Sequence, residues 1–182
     1  MAAASPSPSD AFEVLGLAPA FDLDEKELEQ RYRDLQRTLH PDRFAQAPAS
    51  ERRSALSRAV SVNDAYRSLR DELKRGELLF VRLGGTLGET GQLADPELLM
   101  EVMELRESLA ETKATRDAAK REALTREVQH KRGDATAALR EAFAILQDGK
   151  NPGALHAAAS ALSRLRYYRR FLDEVALHED EE

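Results

Sequence analysis

Apolar positions Leu28, Tyr32, Leu35 and Leu39 follow one another at spacings of 4, 3 and 4. That rhythm is one face of a helix with about 3.6 residues per turn. A second stripe, Ala55, Ala59, Val62, Tyr66, Leu69 and Leu73, alternates 4 and 3 in the same way and predicts a helix from about Ser50 to Arg75. The first of these helices starts near Asp24, where Asp24 with Glu27 imitates a capping box; an N-cap of this kind stabilises a helix by about 1 kcal/mol. It must end at His40-Pro41-Asp42, because proline cannot continue a helix and disfavours helical geometry in the residue before it. Two helices with matching stripes joined by one turn predict an antiparallel hairpin. Ahead of them a short helix fits Ala11 to Leu15, with Asp10 as N-cap and Gly16 just past its end.

The second half repeats the helical rhythm after a break. Glycines 84, 85, 88 and 91 interrupt the pattern and place a domain boundary between residues 84 and 94, with a short bridging helix from Glu77 to Leu83 before it. Asp95-Pro96 predicts a new N-terminus, capping residue then proline at the first helical position. The stripe Leu98, Val102, Leu105, Leu109 comes next, in a helix expected to reach His130-Lys131-Arg132, with Gly133 as its left-handed cap. Asp134 to Gln147 reads as a second helix, stopped by Gly149 and Asn151-Pro152-Gly153, and a third is expected from about Ala154 to Leu177. Alternating apolar runs of strand length are absent. The chain therefore reads as all-α: a tail at 1–9, a hairpin domain at 10–75, a linker with a short helix at 76–94, an antiparallel three-helix bundle at 95–177 and an acidic tail at 178–182.

Composition narrows the function classes. Hydrophobic residues make up 42% of the chain, enough for a packed core, while 33% are charged and the net charge is -6, a field that does not attract nucleic acid in general. No apolar run approaches the ~18 residues of a membrane span. The start, MAAASPSPSD, has no basic region, apolar core or arginine, so neither a secretory nor a mitochondrial leader is expected and the reading is cytoplasmic. With no cysteine, disulfides, thiolate ligands and a cysteine nucleophile are excluded. His130, His156 and His178 are scattered without ligand spacing, and glycines 84 to 91 do not form a phosphate loop, so no metal, no cofactor and no enzyme activity are expected.

The His-Pro-Asp turn then needs another reading than an acid–base pair, since no nucleophile or second histidine lies near it. As an ordinary loop, Pro41 breaks the helix and Asp42 caps the next element. The helix before it adds information: the face opposite the apolar stripe holds Lys26, Gln30, Arg33 and Arg37, with no carboxylate among those four positions. A basic stripe leading to an exposed turn suits docking to an acidic partner. Residues 10 to 75 resemble a J-domain: a short helix with FEVLGL, a basic second helix, HPD, and NDAYRSLR in the third. The resemblance implies an activator of ATP hydrolysis by a DnaK-type (heat-shock 70) chaperone, not an enzyme itself. It implies that Lys26, Arg33 and Arg37 dock on the chaperone and that His40, Pro41 and Asp42 transmit the signal for hydrolysis.

In DPELLMEVMELRESLAE, Leu99, Met100 and Met103 lie roughly 100° to 200° around the helix from the core stripe, flanked by Glu104 and Glu107. Such a helix is either buried on two sides or carries an exposed client-binding patch, for which methionine is well suited. Near the C-terminus Tyr167 projects off the Leu162, Leu165, Leu172 stripe among Arg164, Arg166 and Arg170, as a surface residue or a second part of an interface. LLMEVMELRESL and the later LRY resemble the HscB family, J-type co-chaperones of iron–sulfur cluster biogenesis, over about Ala11 to Val175. That resemblance implies a bundle that binds the IscU-type cluster scaffold and delivers it to an HscA-type chaperone, with Leu99, Met100, Met103, Glu104, Arg106, Glu107 and Tyr167 at the scaffold. Met103 stands where the family commonly has leucine and Tyr167 where it often has phenylalanine. The absence of the cysteine-rich zinc module of eukaryotic relatives implies a bacterial type. Two alternatives stay open: a J-domain protein with another client, and a helical adaptor that dimerises through the Leu99/Met103 patch.

Overall fold

The computed structural model describes residues 10–87, 96–149 and 151–179. Among these residues all regular structure is helical, and the chain divides into two compact units, 1–79 and 80–182. The expected tail at 1–9, Gly88, Gly91 and the Asp95 cap lie outside the described residues, as do 180–182 of the acidic end.

In the first unit, α1 (Ala11–Leu15), α2 (Glu25–Thr38) and α3 (Ala49–Arg70) enclose one apolar core. Asp10 caps α1 by accepting the Phe12 N–H, and Gly16 closes it at φ 66, a left-handed geometry that costs a β-carbon-bearing residue about 1 kcal/mol or more. The Asp24 carboxylate accepts from the Lys26 and Glu27 amides at the start of α2. Phe12 and Leu15 fill the space between the hairpin helices, where Leu28, Leu39, Val62, Ala65 and Leu69 are buried. Each such leucine or phenylalanine contributes about 1.5–3 kcal/mol of burial. The hairpin register is fixed by polar groups as well. Tyr32 stacks on Tyr66 with centroids 4.0 Å apart, and the Asn63 Oδ1 accepts from both the Tyr32 hydroxyl and the Gln36 Nε2, each at 2.8 Å.

The helix expected to run to Arg75 is broken. Asp71 adopts extended geometry at the end of α3 and its carboxylate accepts the Lys74 N–H, so it caps a new helix, α4 (Glu72–Arg82), which begins before the expected Glu77. The break lets Arg75 turn back: its Nε donates to the Phe21 carbonyl at 2.7 Å and its Nη1 to the Leu69 carbonyl at 2.6 Å.

The second unit contains α5 (Pro96–Thr115), α6 (Ala118–Asp148) and α7 (Pro152–Glu179). Among the described residues of the expected bundle, 96–149 and 151–179, there are three helices, but the first break falls at Arg116-Asp117 instead of at Gly133. Arg116 takes φ 49 and Asp117 accepts the Lys120 N–H at 3.0 Å, a capped turn without glycine or proline. Gly133 lies inside α6 with nothing within 4 Å of where its β-carbon would sit. A mid-helix glycine costs only about 0.5–1 kcal/mol, and the buried residues Leu124, Val128, Ala135, Leu139, Phe143 and Leu146 carry the helix through it. Asn151-Pro152, expected as a stop, is a start: Asn151 Oδ1 accepts from the Gly153 and Ala154 amides, with Pro152 in the first turn. Buried Ala154, Ala158 and Ala161 on α7 and Ala135 and Ala142 on α6 are small enough for the two helices to pack closely, and they form the main contact of this unit.

Candidate functional sites

The turn after α2 is set by its own chemistry. Leu39 closes α2 by donating to the Leu35 carbonyl, and His40, extended at φ -60 and ψ 133 as a residue before proline must be, starts a single 3-10 turn over Pro41–Phe44. The His40 Nδ1 faces the Asp42 amide at 3.4 Å and the Asp42 carboxylate at 3.5 Å, and the two side chains are 59% and 91% exposed. These contacts are alternatives: an Nδ1 without a proton accepts from the Asp42 amide, whereas an Nδ1 carrying a proton donates to the carboxylate.

Lys26, Arg33 and Arg37 are exposed along α2, the helix that leads to this turn. The basic stripe is less isolated than the four-position pattern suggests, because acids from the flanks reach it. Arg33 pairs with Glu29 at 2.9 Å and Arg37 with Asp34 at 3.4 Å.

The α5 helix presents two faces. Leu105 and Leu109 are buried and Leu98 and Val102 half-buried, whereas Leu99, Met100 and Met103 are 61%, 64% and 65% exposed. The apolar patch is therefore open, and Glu104, Arg106 and Glu107 around it are exposed too. Tyr167 departs from the expected projection. It is half-buried, donates its hydroxyl to the Val102 carbonyl at 3.3 Å, and lies edge-on to Tyr168 with centroids 6.0 Å apart. Burial pushes its pKa up, with the Arg106 guanidinium pulling the other way. The structure thus brings Tyr167 and Arg106 together at the border of the patch.

The sequence reading missed a polar cluster beneath the start of α5. The Glu101 side chain, 15% exposed, accepts the Tyr168 hydroxyl on Oε1 at 2.7 Å; its Oε1 also lies 3.1 Å from Lys131 Nζ of α6 and its Oε2 lies 2.8 Å from Arg164 Nη1 of α7. Burial works to raise the Glu101 pKa, but the Tyr168 and Lys131 hydrogen bonds and the Lys131 and Arg164 charges outweigh it and hold it below the usual value. Tyr168 is pushed up to about 12 by burial and by the adjoining carboxylate. The available signal was positional: Glu101 stands one helical step from the core stripe, with Arg164 and Tyr168 four residues apart on one face of α7.

Comparison with known proteins bears on both units. The family model of the DnaJ domain matches residues 10–78, so the first unit is a J-domain and the chain a J-domain protein. The model described as the HSCB C-terminal oligomerisation domain matches residues 94–176. A co-chaperone protein HscB homolog of Aeromonas hydrophila is 35% identical over 171 residues, covering 93% of this chain and 95% of that relative. One of Burkholderia multivorans is 38% identical over 165 residues, 90% of each chain. Among solved structures, HscB of Vibrio cholerae superposes with a TM-score of 0.83 at 35% identity, covering 94% of this chain and 98% of that one. Human HscB gives 0.82 at 29% identity, with 96% and 85% covered. The chain belongs to the HscB family of J-domain co-chaperones. Among the described residues no helix is long and apolar enough to cross a membrane.

Proposed function

We propose that this co-chaperone stimulates ATP hydrolysis by a DnaK/HscA-type (heat-shock 70) chaperone and delivers to it an IscU-type iron–sulfur cluster scaffold, in the cytoplasm. Lys26, Arg33 and Arg37 dock on the chaperone, and His40, Pro41 and Asp42 carry the signal. Leu99, Met100 and Met103 seat the scaffold, with Glu104, Arg106, Glu107 and Tyr167 at the rim. The observation that carries this reading is the exposure of those three apolar side chains on a helix whose other face is buried. Carrying both contacts, one molecule raises the effective concentration of scaffold at the chaperone. The cluster stays on the scaffold and hydrolysis on the chaperone.

The test is calorimetric titration with cluster-free scaffold, beside a Leu99→Ala/Met103→Ala variant. A fully buried Leu or Met contributes about 1.5–3 kcal/mol, so two side chains still largely exposed in the free protein hold roughly 2–4 kcal/mol in reserve. Ordering costs reduce this. A loss of about tenfold or more in affinity, at unchanged thermal stability, is expected; full affinity in the variant sinks the assignment. The description of the matched C-terminal family as an oligomerisation domain favours a second reading, self-association through the same patch. Sedimentation of parent and variant separates the two.

A further inference from the structure

The start of α5 carries the exposed patch yet has little apolar burial of its own. Its fully buried side chains, Leu105, Leu109 and Thr112, begin only at the middle of the helix, while the residues before Leu105 offer only half-buried Leu98 and Val102 as apolar contacts. Held by those two alone, this segment would belong to the low-stability end of the molecule. The polar contacts fall where the apolar ones thin out. Glu101 joins Lys131 of α6 to Arg164 and Tyr168 of α7, and one residue further on the Val102 carbonyl accepts from Tyr167. At about 100° per residue Glu101 lies on one flank of the core stripe, while Arg106, beside Tyr167, lies on the other. Two anchors on opposite flanks fix rotation about the helix axis, and rotation decides whether Leu99 and Met103 face outward.

We infer that Glu101 is a positioning residue of the scaffold-binding face: its carboxylate, gripped by Lys131, Arg164 and Tyr168, locks the first half of α5 in the rotation that presents Leu99, Met100 and Met103. The inference rests on the proposed scaffold-binding role. Glu101 itself points into the cluster, so it acts through the helix and need not touch the partner.

The experiment compares the full chain with its Glu101→Gln and Tyr168→Phe variants, by amide hydrogen exchange along α5 and by titration with the cluster-free scaffold. If the competent rotation falls to about one tenth of the population, apparent affinity falls about tenfold. Expected for Glu101→Gln are faster exchange confined to residues 96–104, slow exchange kept at 105–115 and in α6 and α7, and a matching loss of affinity. Tyr168→Phe, which keeps both ion pairs, shows the same pattern more weakly. A third variant, Glu101→Met/Lys131→Met/Arg164→Leu, replaces the charges by packing and restores both readouts. Weaker binding without faster exchange at 96–104 overturns the inference, because Glu101 then touches the scaffold directly. So does exchange that rises equally through α6 and α7, the mark of general destabilisation, or local loosening with affinity intact. Absence of binding by the parent chain sinks the scaffold reading instead, and the exchange arm still decides whether Glu101 holds α5.

Discussion

Asn63 offers a sharp test of how the hairpin is held. Its Oδ1 takes two donors, the Tyr32 hydroxyl and the Gln36 amide, each at 2.8 Å. Asn63→Ala removes the shared acceptor and leaves both donors behind. Two hydrogen bonds at about 0.5–1.5 kcal/mol each give roughly 1–3 kcal/mol. All three residues are half-buried, so water can replace part of the loss, and alanine returns up to about 0.7 kcal/mol of helix propensity. The expected cost is about 1–2 kcal/mol. Tyr32→Phe keeps the stack on Tyr66 and loses one bond, about 1 kcal/mol. In the double variant that loss has already occurred, so the cycle should show a coupling of about 1 kcal/mol. Urea unfolding of the full chain, followed through the amide resonances of α2 and α3, measures each corner. Gln36 lies one helical turn before His40, so faster exchange at the Leu39 amide, bonded to Leu35, should accompany Asn63→Ala. Additivity within about 0.3 kcal/mol would refute the shared-acceptor account.

The second unit supplies two more tests. The Glu101 carboxyl is held below its usual pKa in the folded chain, so its contribution is present above the unfolded value of about 4.3 and is lost as pH falls through the lower folded value. Acid titration of the second unit's stability should therefore be shallower in Glu101→Gln, and an unchanged slope would show that the ion pairs add nothing. Gly133→Ala should stabilise the second unit by about 0.5–1 kcal/mol, since the site is helical and open, whereas the left-handed cap expected from sequence would make alanine destabilising. Thermal unfolding gives the sign directly.

Much of the fold could be read along the chain because its periodicity and caps agree. Asp10, Gly16 and Asp24 act where the sequence places them, and the 4–3 stripes of α2 and α3 face the core. Boundaries went astray where one residue type serves two purposes. Gly133 has the composition of a cap, but burial on both sides of it outweighs its backbone cost. Asp71 and Asp117 start helices inside patterns that read as continuous, and a single aspartate gives no periodic signal. The candidate surfaces were legible for the same reason as the core: Leu99, Met100 and Met103 stand out only against a stripe already assigned inward. Glu101 was not, because a carboxylate at the edge of a stripe looks like any solvated acid until the helices bearing Lys131 and Arg164 are brought beside it.

On the proposed reading, the two surfaces differ in how long they can hold a partner. The cations of α2 are partly neutralised in place, Arg33 by Glu29 and Arg37 by Asp34, in a chain whose net charge is -6. Exposed pairs of this kind are worth about 0.3–0.5 kcal/mol each, so an acidic partner exchanges them at small cost. They keep the long side chains arrayed on the docking face while weakening its field beyond the screening length of about 8 Å at physiological salt. A face of that sort engages at close range and releases readily, which suits an activator that must leave after each round of hydrolysis. The α5 patch has no such exchange to make. Leu99, Met100 and Met103 gain by losing water, a gain that salt does not screen. On that reading the apolar contact is the less salt-sensitive of the two, which favours an order of scaffold first and chaperone second. In that order the proposed contact through His40, Pro41 and Asp42 is made with cargo in place, and titrating the chaperone at low and high salt with scaffold present checks it: the scaffold contact should survive salt that weakens the chaperone contact.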